Sequence, residues 1–330
     1  MADGVTTNYD YLKHKEEALE MLKERIGPSV GTPLNVAVIG APGVGKSCFI
    51  NTMITSMVGE YREWSKTGDS GGYGKRVTSR LTMIPRETYV TVASEETRQY
   101  NFPNFLDMAG IEDFNDELTK ELLVLIIFGR IPLNVSLAKV AKDIRKYDRW
   151  YIDKRYPATP EVAMHKIDRI IFVASAANPV LPNRLMNAIS TVLWRKRDIP
   201  IFGVLTNEDR KKNSGDFEEL EKNFRCSLQL SKLHYFVCTT YCDDNIDEIK
   251  RGEAKCKPHL DLPVLKFLLQ VLDPVLQSVD FESGNESIFQ KIKKRFYKKP
   301  DKNENSTWFY IMIPILVFLV AMIIMLLFQK

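Results

Sequence analysis

The sequence predicts a three-layer α/β fold with a mainly parallel central sheet, followed by a C-terminal transmembrane helix. Three observations carry this. Short apolar runs rich in β-branched residues alternate with longer helical patterns, as parallel sheets covered on both faces require. The first run leads directly into Gly40-Ala41-Pro42-Gly43-Val44-Gly45-Lys46-Ser47, a full G-x-x-x-x-G-K-[ST] match. Residues 308–328 (WFYIMIPILVFLVAMIIMLLF) carry no charge and reach the length of about 20 residues that a bilayer-crossing helix needs.

Each element has its own warrant. Residues 10–26 place Leu12, Leu19, Leu22 and Ile26 near one helical face and stop at Gly27-Pro28, so 1–30 read as a helical extension packed on the adjoining domain. The domain proper spans 31–280. Its strands are expected at 34–39, 105–106, 169–174, 199–205 and 235–238, with strand-like residues also at 81–84. Helical patterns at 46–57, 116–128, 183–194, 216–228 and 261–279 alternate with them. The Gly- and Ser-rich stretch 67–75 reads as a loop. Residues 129–166 exceed an ordinary connection and read as an insertion, partly helical at 136–147. The run 122–128 (LLVLIIF) is too short to cross a bilayer and reads as buried helix.

Charge and cysteines exclude several classes. The 330 residues carry a net charge of +4, yet 291–302 alone hold seven basic residues against one acidic, so the remainder is nearly neutral. A nucleic-acid partner is therefore not expected. Five irregularly spaced cysteines suit a reducing compartment rather than a disulfide scaffold. Residues 1–30 are polar and mixed in charge, unlike a signal peptide. A basic linker at 281–307 before the span at 308–328 predicts a tail anchor with the body facing the cytosol. The endoplasmic reticulum is the favoured membrane and the mitochondrial outer membrane the alternative.

The candidate site is read motif by motif. Gly40 through Ser47, with Cys48 beside them, form the phosphate-binding set. The glycines let backbone N–H groups turn inward, Lys46 neutralises the β- and γ-phosphates, and Ser47 ligates Mg²⁺. Asp107-Met108-Ala109-Gly110 closes the next buried strand. There Asp107 is expected to hold Mg²⁺ and the Gly110 N–H to contact the γ-phosphate. Ile111 stands where Ras-like proteins carry a water-orienting Gln, which predicts slow hydrolysis.

Thr206-Asn207-Glu208-Asp209 has the form of a base-reading loop. The Asp209 carboxylate would pair with the ring N–H and amine of guanine, a pair that adenine lacks. Asn207 replaces the usual Lys of that loop, and Thr240 sits where a backbone N–H reads the guanine carbonyl. Thr78 is the favoured switch threonine, acting on Mg²⁺ and alongside Lys46 in catalysis. Thr67 and Thr82 compete with it, and the flanking Arg76 and Arg80 read as solvated loop cations, with cis or trans arginine fingers as the alternative. Cys238, Cys242, Cys256 and His259 are spaced loosely like a zinc site, but Cys238 ends a buried strand and reads as a small core residue.

These four motifs in this order resemble the P-loop GTPases of the translation-factor-related class, and most closely the interferon-induced protein 44-like family, over roughly residues 30–280. That family also carries a hydrophobic residue after its D-x-x-G, a T-x-x-D base motif and a long segment before its fourth strand. The resemblance implies a P-loop NTPase fold, GTP or GDP as ligand, Mg²⁺ as cofactor and a role in immunity. The apolar C-terminal run departs from the family pattern. The residues support a membrane-anchored, Mg²⁺-dependent GTP-binding switch, able to pair as a homodimer across its nucleotide face. A non-catalytic nucleotide-binding scaffold is the alternative, and an ATPase of the same loop class a third reading.

Overall fold

The computed structural model describes residues 8–67, 80–159, 165–178, 180–196, 199–210, 214–242 and 245–274. Thr78, Arg76, the linker 281–307 and the apolar run 308–328 lie outside them. Among the described residues no helix is long and apolar enough to cross a membrane.

Among the described residues six strands build the middle layer: β1 (Asn35–Gly40), β2 (Thr82–Ile84), β3 (Asn104–Asp107), β4 (Arg169–Ser175), β5 (Ile201–Thr206) and β6 (Tyr235–Val237). Their spatial order is β2-β3-β1-β4-β5-β6, and every pair is parallel except β2 with β3. Successive side chains leave opposite faces, and the core divides accordingly. Val36, Val38, Ile171, Val173, Phe202 and Val204 join one cluster. It is shared with α1 (Asn8–Ile26), α2 (Lys46–Val58) and the last described helix. Ala37, Ile39, Leu106, Ile170 and Phe172 join the other.

That second cluster is closed by α3 (Glu117–Ile127) and, further along the chain, by the helices Asn183–Lys196 and Ser214–Ser227. All residues from Leu122 to Ile127 are buried. A helix apolar all round needs cover on its outer side, and the insertion supplies it. Two helices form that cover, α4 (Leu137–Lys146) and α5 (Arg149–Arg155), through Leu137, Val140, Ile152 and Tyr156. The sequence pattern shows only the first of them. The second starts at Asp148, whose carboxylate accepts the Tyr151 N–H at 2.9 Å as an N-cap. With the helices Asn183–Lys196 and Ser214–Ser227 as α6 and α7, the last described helix is α8 (Pro258–Val271). It begins three residues before the expected 261, because Pro258 suits the first turn, and it is capped at Leu272.

The N-terminal helix is a member of this core. Ala18 and Leu22 of α1 are buried with Leu262, Leu265 and Leu268 of α8. Leu12, expected on the buried face, is exposed, and Lys15 takes the inward place instead. Its Nζ lies 2.7 Å from Asp261 Oδ2 and 3.1 Å from Cys256 Sγ. Asp261 also accepts the Tyr241 hydroxyl at 2.9 Å. Cys256 and Cys238 thus have separate surroundings, the first against Lys15 and the second within the α2–α8 cluster.

Candidate functional site

Parallel strands bring the motifs to one edge. The phosphate loop follows β1, Asp107 ends β3, Thr206 ends β5, and Thr239 to Tyr241 follow β6, all at carboxyl ends of the sheet. Beside β1 the strand order reverses, with β3 on one side and β4 on the other. Open parallel sheets place their ligand crevice at such a point.

The loop geometry is that of an anion cradle. Gly43 and Gly45 have φ of 73° and 88°, a left-handed backbone open to glycine at little cost. Gly45 is the residue that opens α2, so the N-terminus of that helix, its positive dipole end, meets the loop. A Cβ on Gly40 would lie 2.2 Å from the Val173 carbonyl oxygen, and one on Gly110 would lie 2.3 Å from Pro42 N. The D-x-x-G glycine is therefore pressed directly against the phosphate loop. The Ile111 N–H continues that contact, donating to the Gly40 carbonyl at 3.1 Å. The Ile111 side chain turns the other way, into the core cluster with Leu122 and Leu123, and only 7% of the residue is exposed.

Polar groups converge at the mouth of the loop. Lys46 is 6% exposed and its Nζ donates to the Ala41 carbonyl at 2.8 Å. Burial lowers its pKa to about 8, against the opposing pull of the Asp107 charge. Ser47 donates its hydroxyl to Asp107 Oδ2 at 2.9 Å, and the Met108 N–H reaches Oδ1 at 2.9 Å. Burial raises the pKa of Asp107, while these hydrogen bonds and Lys46 pull it back.

Ser65 also donates its hydroxyl to Asp107 Oδ2, a contact that no sequence motif announces. Asn51, one helical turn beyond Ser47, clasps Ser65 from both sides. The Ser65 N–H donates to Asn51 Oδ1 at 2.8 Å, and Asn51 Nδ2 donates to the Ser65 carbonyl at 2.9 Å. The available signal was a buried Asn within a helix of otherwise apolar and small residues. Four residues earlier, Tyr61 stacks on Tyr241 with ring centroids 5.2 Å apart. The segment 61–65 therefore links the loop after β6 to Asp107. Of the other switch candidates, Thr67 gives its N–H and hydroxyl to Glu63 Oε1 at 2.7 and 2.8 Å. Thr82 lies exposed in β2, and Arg80 is an exposed residue bridged to Ser136.

At the base side, Asp209 sits in a short turn (Glu208–Arg210), half-exposed, with the Thr239 hydroxyl 3.4 Å from Oδ1. Thr206 is fully buried. Its hydroxyl lies 2.7 Å from the Val44 carbonyl and 3.2 Å from that of Ala174, bracing the phosphate loop from behind. Asn207 has φ of 57°, and its side-chain amide donates to Ser175 Oγ at 2.8 Å, towards β4. Thr240 is buried with its carbonyl accepting from Asn245 Nδ2 at 2.7 Å. Cys48 is half-buried, and its carbonyl accepts the Thr52 hydroxyl at 2.7 Å. A carboxylate beside two hydroxyls is a hard-oxygen donor set, which fits Mg²⁺.

No protein-family profile matches this sequence, and the search of curated proteins found no match. Comparison with solved structures returns several partial likenesses. Toc33 from Arabidopsis thaliana in complex with Mg²⁺ and GMPPNP is 15% identical, over 82% of this chain and 96% of that one, with a TM-score of 0.43. Era from Aquifex aeolicus bound to GDP·AlF4⁻ is 17% identical, over 68% and 56%, with a TM-score of 0.31. A probable GTP-binding protein engB is 14% identical, over 66% and 94%, again at 0.31. These likenesses are distant. The fold of this chain, a mostly parallel sheet with a glycine-rich phosphate loop between β1 and α2, fits the P-loop class on its own geometry.

Proposed function

We propose that this chain is a Mg²⁺-dependent guanine-nucleotide-binding switch, held on a membrane by its C-terminal segment and slow to hydrolyse GTP on its own. The observation that carries the reading is the convergence of buried Lys46 with Ser47, Ser65 and Asp107 at the mouth of the phosphate loop. Lys46 exchanges the Ala41 carbonyl for phosphate oxygens, and the loop N–H groups bind the remaining phosphate charge. Ser47, Asp107 and Ser65 would hold Mg²⁺, which supplies neutralisation of the phosphate charge when bound. Asp209, half-exposed at the same edge, would accept from guanine, and its exposure supports that reading. Burial of Ile111 leaves the position after D-x-x-G without a group able to orient water, so rapid turnover needs help from outside.

Other parts of the proposal have their own supports. The apolar run 308–328 and the basic residues before it support a cytosol-facing tail anchor, on the endoplasmic reticulum first and the mitochondrial outer membrane second. Phe114 and Val180, 48% and 71% exposed, lie in loops at the nucleotide edge and support pairing of two copies there. The motif resemblance to interferon-induced protein 44-like proteins supports a place in immunity. The buried Ile111 and the inward-turned Asn207 equally favour a second reading, a nucleotide-binding scaffold without turnover.

The test is titration of the purified full chain with fluorescent GTP and ATP analogues in Mg²⁺, with phosphate release followed in parallel. GTP is expected to bind tighter, and Asp209→Asn to lose about 100-fold of that preference. Binding of neither nucleotide overturns the switch and the scaffold alike, and a preference unchanged in the variant overturns the role given to Asp209. Binding without release, even when the protein is clustered on vesicles, selects the scaffold. A second prediction concerns Ser65. Ser65→Ala is expected to raise the Mg²⁺ concentration needed for half-maximal GTP binding about tenfold, the scale of one hydrogen bond to a charged group, and Ser65→Thr to restore it.

A further inference from the structure

The insertion carries a surface that the nucleotide site does not use. Residues 137–155 hold seven basic and three acidic side chains. All three carboxylates are engaged locally. Asp143 accepts the Tyr156 hydroxyl at 2.8 Å, Asp148 caps α5, and Asp153 binds Arg130 at 2.7 Å and Arg149 at 3.0 Å. On α4, Leu137 and Val140 face the core, which turns Lys139, Lys142, Arg145 and Lys146 to solvent. Asp116 lies near enough to Arg145 to feel its charge.

Aromatic rings lie beside two cations of the same segment, Lys146 and Lys154. Trp150 is 70% exposed, and Lys154 Nζ stands 5.2 Å from its ring centroid. Tyr147, also exposed, stacks on Tyr151 at 4.0 Å with Lys146 Nζ 5.0 Å from its ring. A chain that is nearly neutral outside 291–302 thus concentrates positive charge on one face of α4, with exposed aromatic rings, Tyr147 and Trp150, in the residues that directly follow that helix.

We propose that this face, Lys139, Lys142, Arg145 and Lys146 with Tyr147 and Trp150, docks on anionic lipid headgroups. The cations match the charge of an anionic leaflet. The indole and phenol rings, apolar in body and polar at the tip, suit the headgroup layer. A lipid surface is favoured over an acidic protein because the sequence itself brings a membrane within reach. Residues 275–307 separate the described domain from the apolar run, and 33 residues extend to at most about 110 Å. The docked face would then fix how the domain lies on the bilayer that holds its tail.

The test uses the full chain in nanodiscs of phosphatidylcholine, alone or with about a third phosphatidylserine. Amide hydrogen exchange over 137–155 is the readout. Protection is expected on the anionic discs alone, and it is expected to disappear at about 0.5 M salt, where screening is strong. The exposed triple variant Lys139→Glu, Lys142→Glu, Lys146→Glu should abolish it, and Trp150→Ala should weaken it severalfold. Equal protection on both lipids, protection on neither, or protection that survives the triple variant overturns the proposal. Protection by single-stranded RNA in place of lipid also overturns it, assigning the face to a nucleic acid. If the chain does not enter discs, the anchor reading fails by itself. Flotation of the same chain with preformed vesicles then decides the face: binding to anionic vesicles alone supports it, and no binding overturns it.

Discussion

Lys46→Ala is expected to lower affinity for Mg²⁺-GTP by about 100- to 1000-fold without loss of stability. The ammonium is buried, and its described hydrogen bond goes to one backbone carbonyl, that of Ala41. Charge-assisted contacts to two phosphate oxygens are worth about 3–4 kcal/mol together, and each 1.4 kcal/mol is a factor of ten. In the free protein the same side chain is destabilising. Burial holds its pKa near 8, whereas an unfolded Lys keeps its proton to about 10.4. Between those values the unfolded chain binds more protons, so this residue makes the free protein more stable as pH rises from about 8 to 10. Calorimetric titration with GTP and thermal melts across that range check both parts. The variant should bind weakly, melt no lower than the parent at pH 7, and lose this contribution to the alkaline rise.

The second large effect falls far from the nucleotide. Asp261→Asn is expected to destabilise the domain by about 3–5 kcal/mol, because it leaves the Lys15 ammonium buried without its counter-charge. The two side chains are 7% and 0% exposed, 2.7 Å apart, with the Tyr241 hydroxyl on the second carboxylate oxygen. For a domain of this size the melting temperature should fall by about 10 °C. Lys15→Met with Asp261→Leu should recover most of the loss, since the pair joins two apolar helix faces that tolerate a hydrophobic replacement. Burial pulls the pKa of Lys15 down, but Asp261 and Cys256 outweigh it and the net direction is up. The pair therefore stabilises fully below about pH 10.4 and weakens only as pH climbs through the raised value. A double-mutant cycle by denaturant melts at pH 7 measures the coupling.

What the sequence showed and what it hid divide along physical lines. The phosphate loop was legible because each glycine answers a backbone demand that no other residue meets, and because strand and helix patterns flank it. Asp107 was legible because it ends a buried run. Ser65 was not, since a loop serine has no signature. Its place on Asp107 depends on the Asn51 clasp, a contact between residues 14 apart. Thr206 and Asn207 match a base-reading pattern, yet a pattern cannot say which way a side chain turns. Theirs turn to Val44, Ala174 and Ser175. The helix α5 has no sequence signature because seven residues of mixed aromatic and charged type give too few turns for a period to show. Lys15 looked like one charge among many on an amphipathic helix, and only its partner in α8 explains its burial.

The joining of α1 to α8 has a consequence in time. Helix α1 leaves the ribosome long before the last helix of the described domain, which covers its apolar face, and Lys15 waits for an aspartate 246 residues downstream. At about 5–20 residues per second that delay is roughly 12–50 s, during which the stripe of Leu19, Leu22 and Ile26 has no partner. Folding can begin around the sheet, but this half of the core closes only when synthesis is well past residue 271. A chain built this way exposes its N-terminal helix to chaperones for most of its synthesis, and the two ends of the domain complete each other last.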